Sequence, residues 1–249
     1  MIMTKYVSVC ERFKTIILFG CAFISGILLP IYLWPYLNLD SVQVPMEQFP
    51  EPSWRTESTL AVKTVASTPF ARFEVHQVRT ENGFIVNDWL WTDERSHVNI
   101  LVHLKNEDKF LLFHQKKYGL ERAYYAVLGG LFNDGEGPLD CARRELLEEA
   151  GLEAEELVNL GKYRVQVNRG GGYLHILYAK NCVYSIGKSS SEDYETQEAR
   201  KLSRNELLEV ALSGGVGEAQ WLACVALGLL YDGNKTRKSE SIGAADIAN

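Results

Sequence analysis

Residues 138–151 leave little latitude in what this chain can fold into, because a helical period gathers apolar residues into a stripe and three of the acids onto one flank. Leu139, Ala142, Leu146 and Ala150 fall on one stripe. Pro138 suits a first turn, and Gly151 suits the left-handed stop after the last one. On a wheel of about 100° per residue started at Leu139, Glu148, Glu145 and Glu149 lie at about 180°, 240° and 280°. Three carboxylates thus share one flank. Acids four apart repel by a few tenths of a kcal/mol, and acids near a helix C-terminus oppose its dipole. A divalent cation held by hard oxygen ligands would reverse both penalties. The alternative is a solvated acidic face helped by Arg144 pairing with Glu148.

The rest of the composition narrows the class of partner. A formal net charge of -6 argues against a broad grip on nucleic acid, which needs a basic face. A small anionic substrate held by local charges and a metal fits better. The five cysteines, Cys10, Cys21, Cys141, Cys182 and Cys224, are too few and scattered for a disulfide framework or a zinc site. The last three read as small buried hydrophobes.

Residues 15–37 contain no charged side chain, and at about 1.5 Å per residue they are long enough to cross roughly 30 Å of hydrocarbon. The expectation is a transmembrane helix, with Tyr32, Trp34 and Tyr36 toward one interface and a cleaved signal peptide as the alternative. Lys5, Arg12 and Lys14 before it and Asp40, Glu47 and Glu51 after it favour a cytosolic N-terminus with the catalytic domain on the opposite side. Asn234-Lys-Thr236 is a glycosylation sequon compatible with that orientation.

The chain then divides into a short polar N-terminus (1–14), the membrane segment (15–37), a Pro-containing linker (38–66), a folded domain (67–232) and a disordered tail (233–249). Hairpins are expected over 70–79 with 84–91, turned at Glu81-Asn82-Gly83, and over 98–104 with 109–115. Further strands fit 157–167 and 173–183, followed by a polar loop over 187–197. Ser203 with Glu206 three residues on predicts a capping box for a helix over 203–213, and a last, mostly buried helix fits 218–231. Strands first and helices interleaved later indicate an α+β chain with a mixed sheet.

From Gly130 onward the chain reads Gly, five residues, Glu136, seven residues, Arg144-Glu145-Leu146, one residue, Glu148-Glu149, one residue, Gly151-Leu152. This resembles the Nudix box at every specified position. The resemblance implies the Nudix fold, a mixed β-sheet sandwiched between α-helices, with a loop and helix carrying Mg2+, for which Mn2+ can substitute. By that resemblance Glu145 and Glu149 are the principal metal ligands, Glu148 a further or water-mediated ligand, and the Gly129 carbonyl an oxygen ligand. Arg144 and Glu136 hold the carboxylates in place. The implied reaction is hydrolysis of a diphosphate.

Gln115-Lys116-Lys117-Tyr118 and the last two helices are similar to the ADP-ribose and ADP-sugar pyrophosphatase branch, whereas Ala126 and Leu128 depart from the Glu and Pro usual there. The implied substrate is ADP-ribose or another nucleoside diphosphate derivative. Relatives acting on ADP-ribose often take the proton with a glutamate beyond the box, and in the loop SSSEDYETQEAR the choice falls on Glu195, ahead of Glu192 and Glu198. Lys116, Lys117, Arg122 and Arg169 are candidate phosphate contacts. A homodimer through the hairpin 70–91 is expected by the same resemblance. The competing reading is a membrane-tethered module that binds a nucleotide without cleaving it.

Overall fold

The computed structural model describes residues 46–185 and 197–246. Eleven strands are present among them: β1 (Thr59–Ser67), β2 (Ala71–Arg79), β3 (Ile85–Glu94), β4 (His97–Leu104), β5 (Lys109–Gln115), β6 (Tyr124–Ala126), β7 (Leu128–Leu131), β8 (Leu152–Glu153), β9 (Glu156–Gln166), β10 (Gly170–Tyr184) and β11 (Gln197–Leu202). Three helices accompany them: α1 (Pro138–Ala150), α2 (Arg204–Leu212) and α3 (Ala219–Asp246).

The main sheet runs in the order β1-β2-β3-β10-β4-β5-β11, with β6 on β5, β7 on β4 and both β8 and β9 on β10. It is mixed as expected, since β10 lies parallel to β3 and β4 and antiparallel to β9. Strand β10 is buried along most of its length because it pairs on both edges and carries packing on both faces.

Alternation along β4 and β10 sends side chains into two cores. Val98, Ile100, Val102, Leu177 and Ala179 join Cys141, Ala142 and Leu146 of α1 on one face. Leu101, Leu174, Ile176 and Tyr178 join Leu207 of α2 and Cys224, Val225 and Leu229 of α3 on the other. At about 1.5–3 kcal/mol per fully buried large apolar side chain, each face supplies enough apolar burial to fix its helix. Cys141, Cys182 and Cys224 are buried thiols, as their scattered spacing implied.

The capping box at α2 forms as predicted: the Ser203 hydroxyl accepts from the Glu206 backbone N–H, and the Glu206 carboxylate accepts from the Ser203 N–H. Helix α3 continues to Asp246, past the end expected for it and through most of the stretch expected as a tail. Strand β1 lies in the stretch read as a linker. Its side chains are mostly exposed or half-exposed, so no buried apolar alternation marks it, and its place is set by pairing with β2.

The expected transmembrane helix is corrected here, and with it the membrane localisation. Among the described residues no helix is long and apolar enough to cross a membrane. The segment 15–37 that prompted both expectations lies outside the described residues. An uncharged run of sufficient length does not by itself establish a span, and the fold of the described residues is the mixed sheet with its helices.

Candidate active site

Helix α1 begins at Pro138 after Gly137 and ends at Gly151, whose φ of 62° and backbone N–H bonds to the Leu146 and Leu147 carbonyls close its last turn. Its apolar stripe buries Cys141, Ala142 and Leu146 against the sheet. That orientation fixes the acidic flank against the loop from Gly129 to Glu136.

Arg144 is the hub. Its Nε and Nη2 donate to the two Glu136 carboxylate oxygens, each at 2.9 Å, a bidentate pair. Nη1 donates to Glu145 Oε1 at 2.6 Å and to Glu148 Oε2 at 3.0 Å, and Nη2 also reaches the Leu131 carbonyl at 3.0 Å. One guanidinium therefore serves three carboxylates. The Glu136 bonds, first among several, push the guanidinium pKa above its ordinary value. In return the Arg144 bonds hold the Glu136 carboxyl at about 2, against the opposing effect of burial.

Glu145 behaves otherwise. It is buried, and that burial raises its pKa above the ordinary carboxylate range, with Glu148 and Glu136 adding to the rise and Arg144 working against it. Its carboxylate rests on the Cα of Gly130, where any Cβ would collide with Oε1. A side chain at 130 would therefore displace the Glu145 carboxylate from where Arg144 holds it.

Gly129 and Gly130 form part of the wall of a cavity of about 460 Å³ that is also lined by Glu149, Lys117, Arg95, Glu94 and Glu218. Glu149 faces this cavity from the turn after Glu145. Strand β7 brings Gly129 and Gly130 there by pairing with Asn99 and Val98 of β4. Across it, Gln220 Nε2 donates to Glu218 at 3.0 Å, and Gln220 Oε1 lies 2.9 Å from His97 Nε2. Burial raises the Glu218 pKa, with His97 pulling the other way.

A divalent metal can be tested against this donor set. Glu136, Glu145 and Glu148 bring three formal negative charges to one positive charge, all through hard oxygens, and Glu149, one turn on from Glu145, lines the adjacent cavity. The set fits magnesium in charge and ligand type. Among the described residues, however, no group of three or more His, Cys, Asp or Glu side chains already converges as a metal cluster; Arg144 holds one oxygen each of Glu145 and Glu148.

The expected substrate contacts separate. Lys117 lines the cavity, whereas Lys116 is exposed and does not. Arg122 stacks on Tyr124 at 4.2 Å, and Arg169 sits in the turn between β9 and β10, its carbonyl accepting from the Thr92 N–H. Glu195 and Glu192 lie outside the described residues, while Glu198 is exposed on β11 beside Arg200. Sequence reasoning missed Glu94, Arg95, His97, Asn99, Glu218 and Gln220. No local motif marks them; only strand register and the start of α3 bring them to one cavity.

Comparison with known proteins agrees with this geometry. The family model described as the NUDIX domain matches residues 95–225. A curated relative, the methanol dehydrogenase activator of Bacillus methanolicus, is 23% identical over 158 residues, covering 61% of this chain and 82% of its own length. A solved structure of an ADP compounds hydrolase superposes with a TM-score of 0.62 at 20% identity, over 75% of this chain and 100% of that one. The last likeness is one of fold.

Proposed function

This chain belongs to the Nudix family of pyrophosphohydrolases, and from that premise we propose that it hydrolyses the diphosphate of a nucleoside diphosphate linked to a further group, ADP-ribose or another nucleotide sugar. The products are a nucleoside monophosphate and a sugar phosphate. The observation that carries the reading is the Arg144 hub: three carboxylates share one guanidinium beside a glycine-walled cavity that Glu149 enters. A chain that only needed a stable helix would gain nothing from mutually repelling acids there. The name of the solved structural neighbour, a hydrolase of ADP compounds, is in keeping with this substrate class.

Mg2+, or Mn2+ in its place, would be held by Glu145, Glu148, Glu149 and the Gly129 carbonyl. When bound, such ions lower the pKa of water and neutralise phosphoryl oxygens. The chain's own residues do the rest. Arg144 fixes the rotamers of Glu145 and Glu148 by hydrogen bonds, and Glu136 fixes Arg144 by a bidentate pair. Lys117 and Arg95, lining the cavity, supply positive charge for the diphosphate. The proton of the attacking water is assigned to Glu195 in the acidic loop.

The test incubates the full chain with Mg2+ and a panel of nucleoside diphosphate derivatives, following nucleoside monophosphate release. Cleavage of at least one nucleotide sugar, lost on chelation, is the expected result. Tight binding of a panel member with no cleavage of any would instead favour a non-catalytic nucleotide-binding module.

A further inference from the structure

The cavity beside Gly129 holds two buried carboxamides with unspent hydrogen-bonding capacity. Asn99 and Gln115 are each 5% exposed, and both line the cavity. Asn99 Nδ2 and Gln115 Oε1 are solvent-shielded and have no hydrogen-bond partner among the described residues. Buried polar atoms are almost always paired, and of the five unpaired ones among the described residues these two share one cavity, where a partner can arrive from outside.

Their settings sharpen the point. Asn99 interrupts an otherwise apolar run on β4, between Val98 and Ile100, both fully buried. Leucine or valine would pack there without an orphaned donor. Gln115 ends β5, opposite Tyr124 of β6 and Gln197 of β11, so its backbone is fixed from both sides. Phe113, Val127 and Trp221 give the same cavity apolar walls. Neutral carboxamides between apolar walls suit an uncharged ring that offers a donor and an acceptor. The charged Lys117, Arg95 and Glu149 suit the phosphates and metal.

We infer that Asn99 and Gln115 form a specificity subsite that reads the uncharged ring of the substrate next to the diphosphate, Asn99 donating to it and Gln115 accepting from it. This rests on the hydrolase reading for its substrate class. Two rings of a nucleotide sugar carry that pairing, the vicinal hydroxyls of the sugar and the edge of the base, and the experiment separates them.

Asn99→Leu and Gln115→Met, each keeping the number of side-chain heavy atoms or nearly so, are compared with the parent on two substrate series. One varies the base with ribose kept, and the other varies the sugar with adenine kept. Expected is a drop in kcat/KM of about 10- to 100-fold in each variant, carried by KM, with thermal stability unchanged or raised. Discrimination within one series collapses while that within the other persists, and the series that collapses identifies the ring. Binding of the α,β-methylene analogue of ADP-ribose is measured in parallel by calorimetry without metal. If the parent cleaves nothing but binds the analogue and both variants weaken that binding about tenfold, the hydrolase reading fails and the subsite stands. Unchanged KM and discrimination in both folded variants would overturn the subsite. So would a uniform loss of kcat and stability with discrimination intact, or a parent that neither cleaves nor binds. Gln115→Met, at a strand end, keeps the test valid if Asn99→Leu disturbs packing against Gly129.

Discussion

Two charge clusters in this molecule are near mirror images. On β2, Glu74 is one buried carboxylate encircled by polar and cationic groups: Arg72, ion-paired with it at 3.1 Å, Arg55 donating at 3.1 Å, His76 at 2.9 Å, Thr64 at 3.3 Å and the Ser53 hydroxyl. On α1, Arg144 is one cation encircled by three carboxylates. Burial alone would raise the Glu74 pKa, yet the Ser53, His76 and Arg55 bonds together overcome it and leave the carboxyl at about 2. For Glu145 the same burial wins, and its pKa rises. The Glu74 cluster satisfies its charge and closes on itself, tying residues 53–55 to the sheet. The Arg144 cluster retains excess negative charge, which is what a site awaiting a cation requires and what a merely structural network would avoid.

The comparison breaks first at Glu74. Glu74→Ala removes the buried acceptor shared by Ser53, His76 and Arg55, leaving Arg72 to Asp93 alone among carboxylates, and should cost on the order of 3–5 kcal/mol in denaturant unfolding, with turnover per folded molecule preserved. A stability loss below about 1 kcal/mol would show that the cluster is not structural. Glu149→Gln should do the reverse. Turnover should fall by about 100- to 1000-fold, or roughly 3–4 kcal/mol at the transition state, while the unfolding midpoint barely moves. Near-normal turnover would remove Glu149 from the metal set.

Arg144→Lys keeps the charge but loses the fork that holds Glu136, so about 10- to 100-fold in activity or metal affinity should go with it. An effect confined to stability would place Arg144 with the structural cluster instead.

The smallest expected effect is in acid. Glu74 has its pKa lowered from 4.5 to about 2 in the folded state, so its stabilising share is complete above 4.5 and is lost as pH falls toward about 2. Glu136 contributes with the same sign. The raised pKa of Glu145 has the opposite sign, since its penalty is relieved as it takes up a proton. Unfolding midpoints measured downward from pH 5 should therefore decline less steeply in Glu74→Gln than in the parent. Parallel slopes in the two proteins would contradict the depressed Glu74 pKa.

Helix α1, its Gly151 stop and the pairing of Arg144 with Glu148 were legible in the sequence because each depends on residues within a few positions of one another. The same holds for the Ser203 cap and for the hairpins of β2 with β3 and β4 with β5. Strands β6 and β7 were not legible. They span three and four residues, and their place is set by pairing with β5 and β4 rather than by any period of their own. Arg169 is a candidate phosphate contact by charge alone; the turn between β9 and β10 sets its backbone, with its carbonyl accepting from the Thr92 N–H.

By itself, then, the sequence determined the acidic helix, the glycine-bounded loop before it and the family, all of which are matters of short-range spacing. Only the tertiary structure decided which side chains meet around the cavity. His97, Asn99, Glu218 and Gln220 come from β4 and the region where α3 begins, as many as 123 positions apart for His97 and Gln220. Contacts across such separations are fixed by sheet register and helix docking, which distribute their cost over the whole core and leave no local pattern of residues to read.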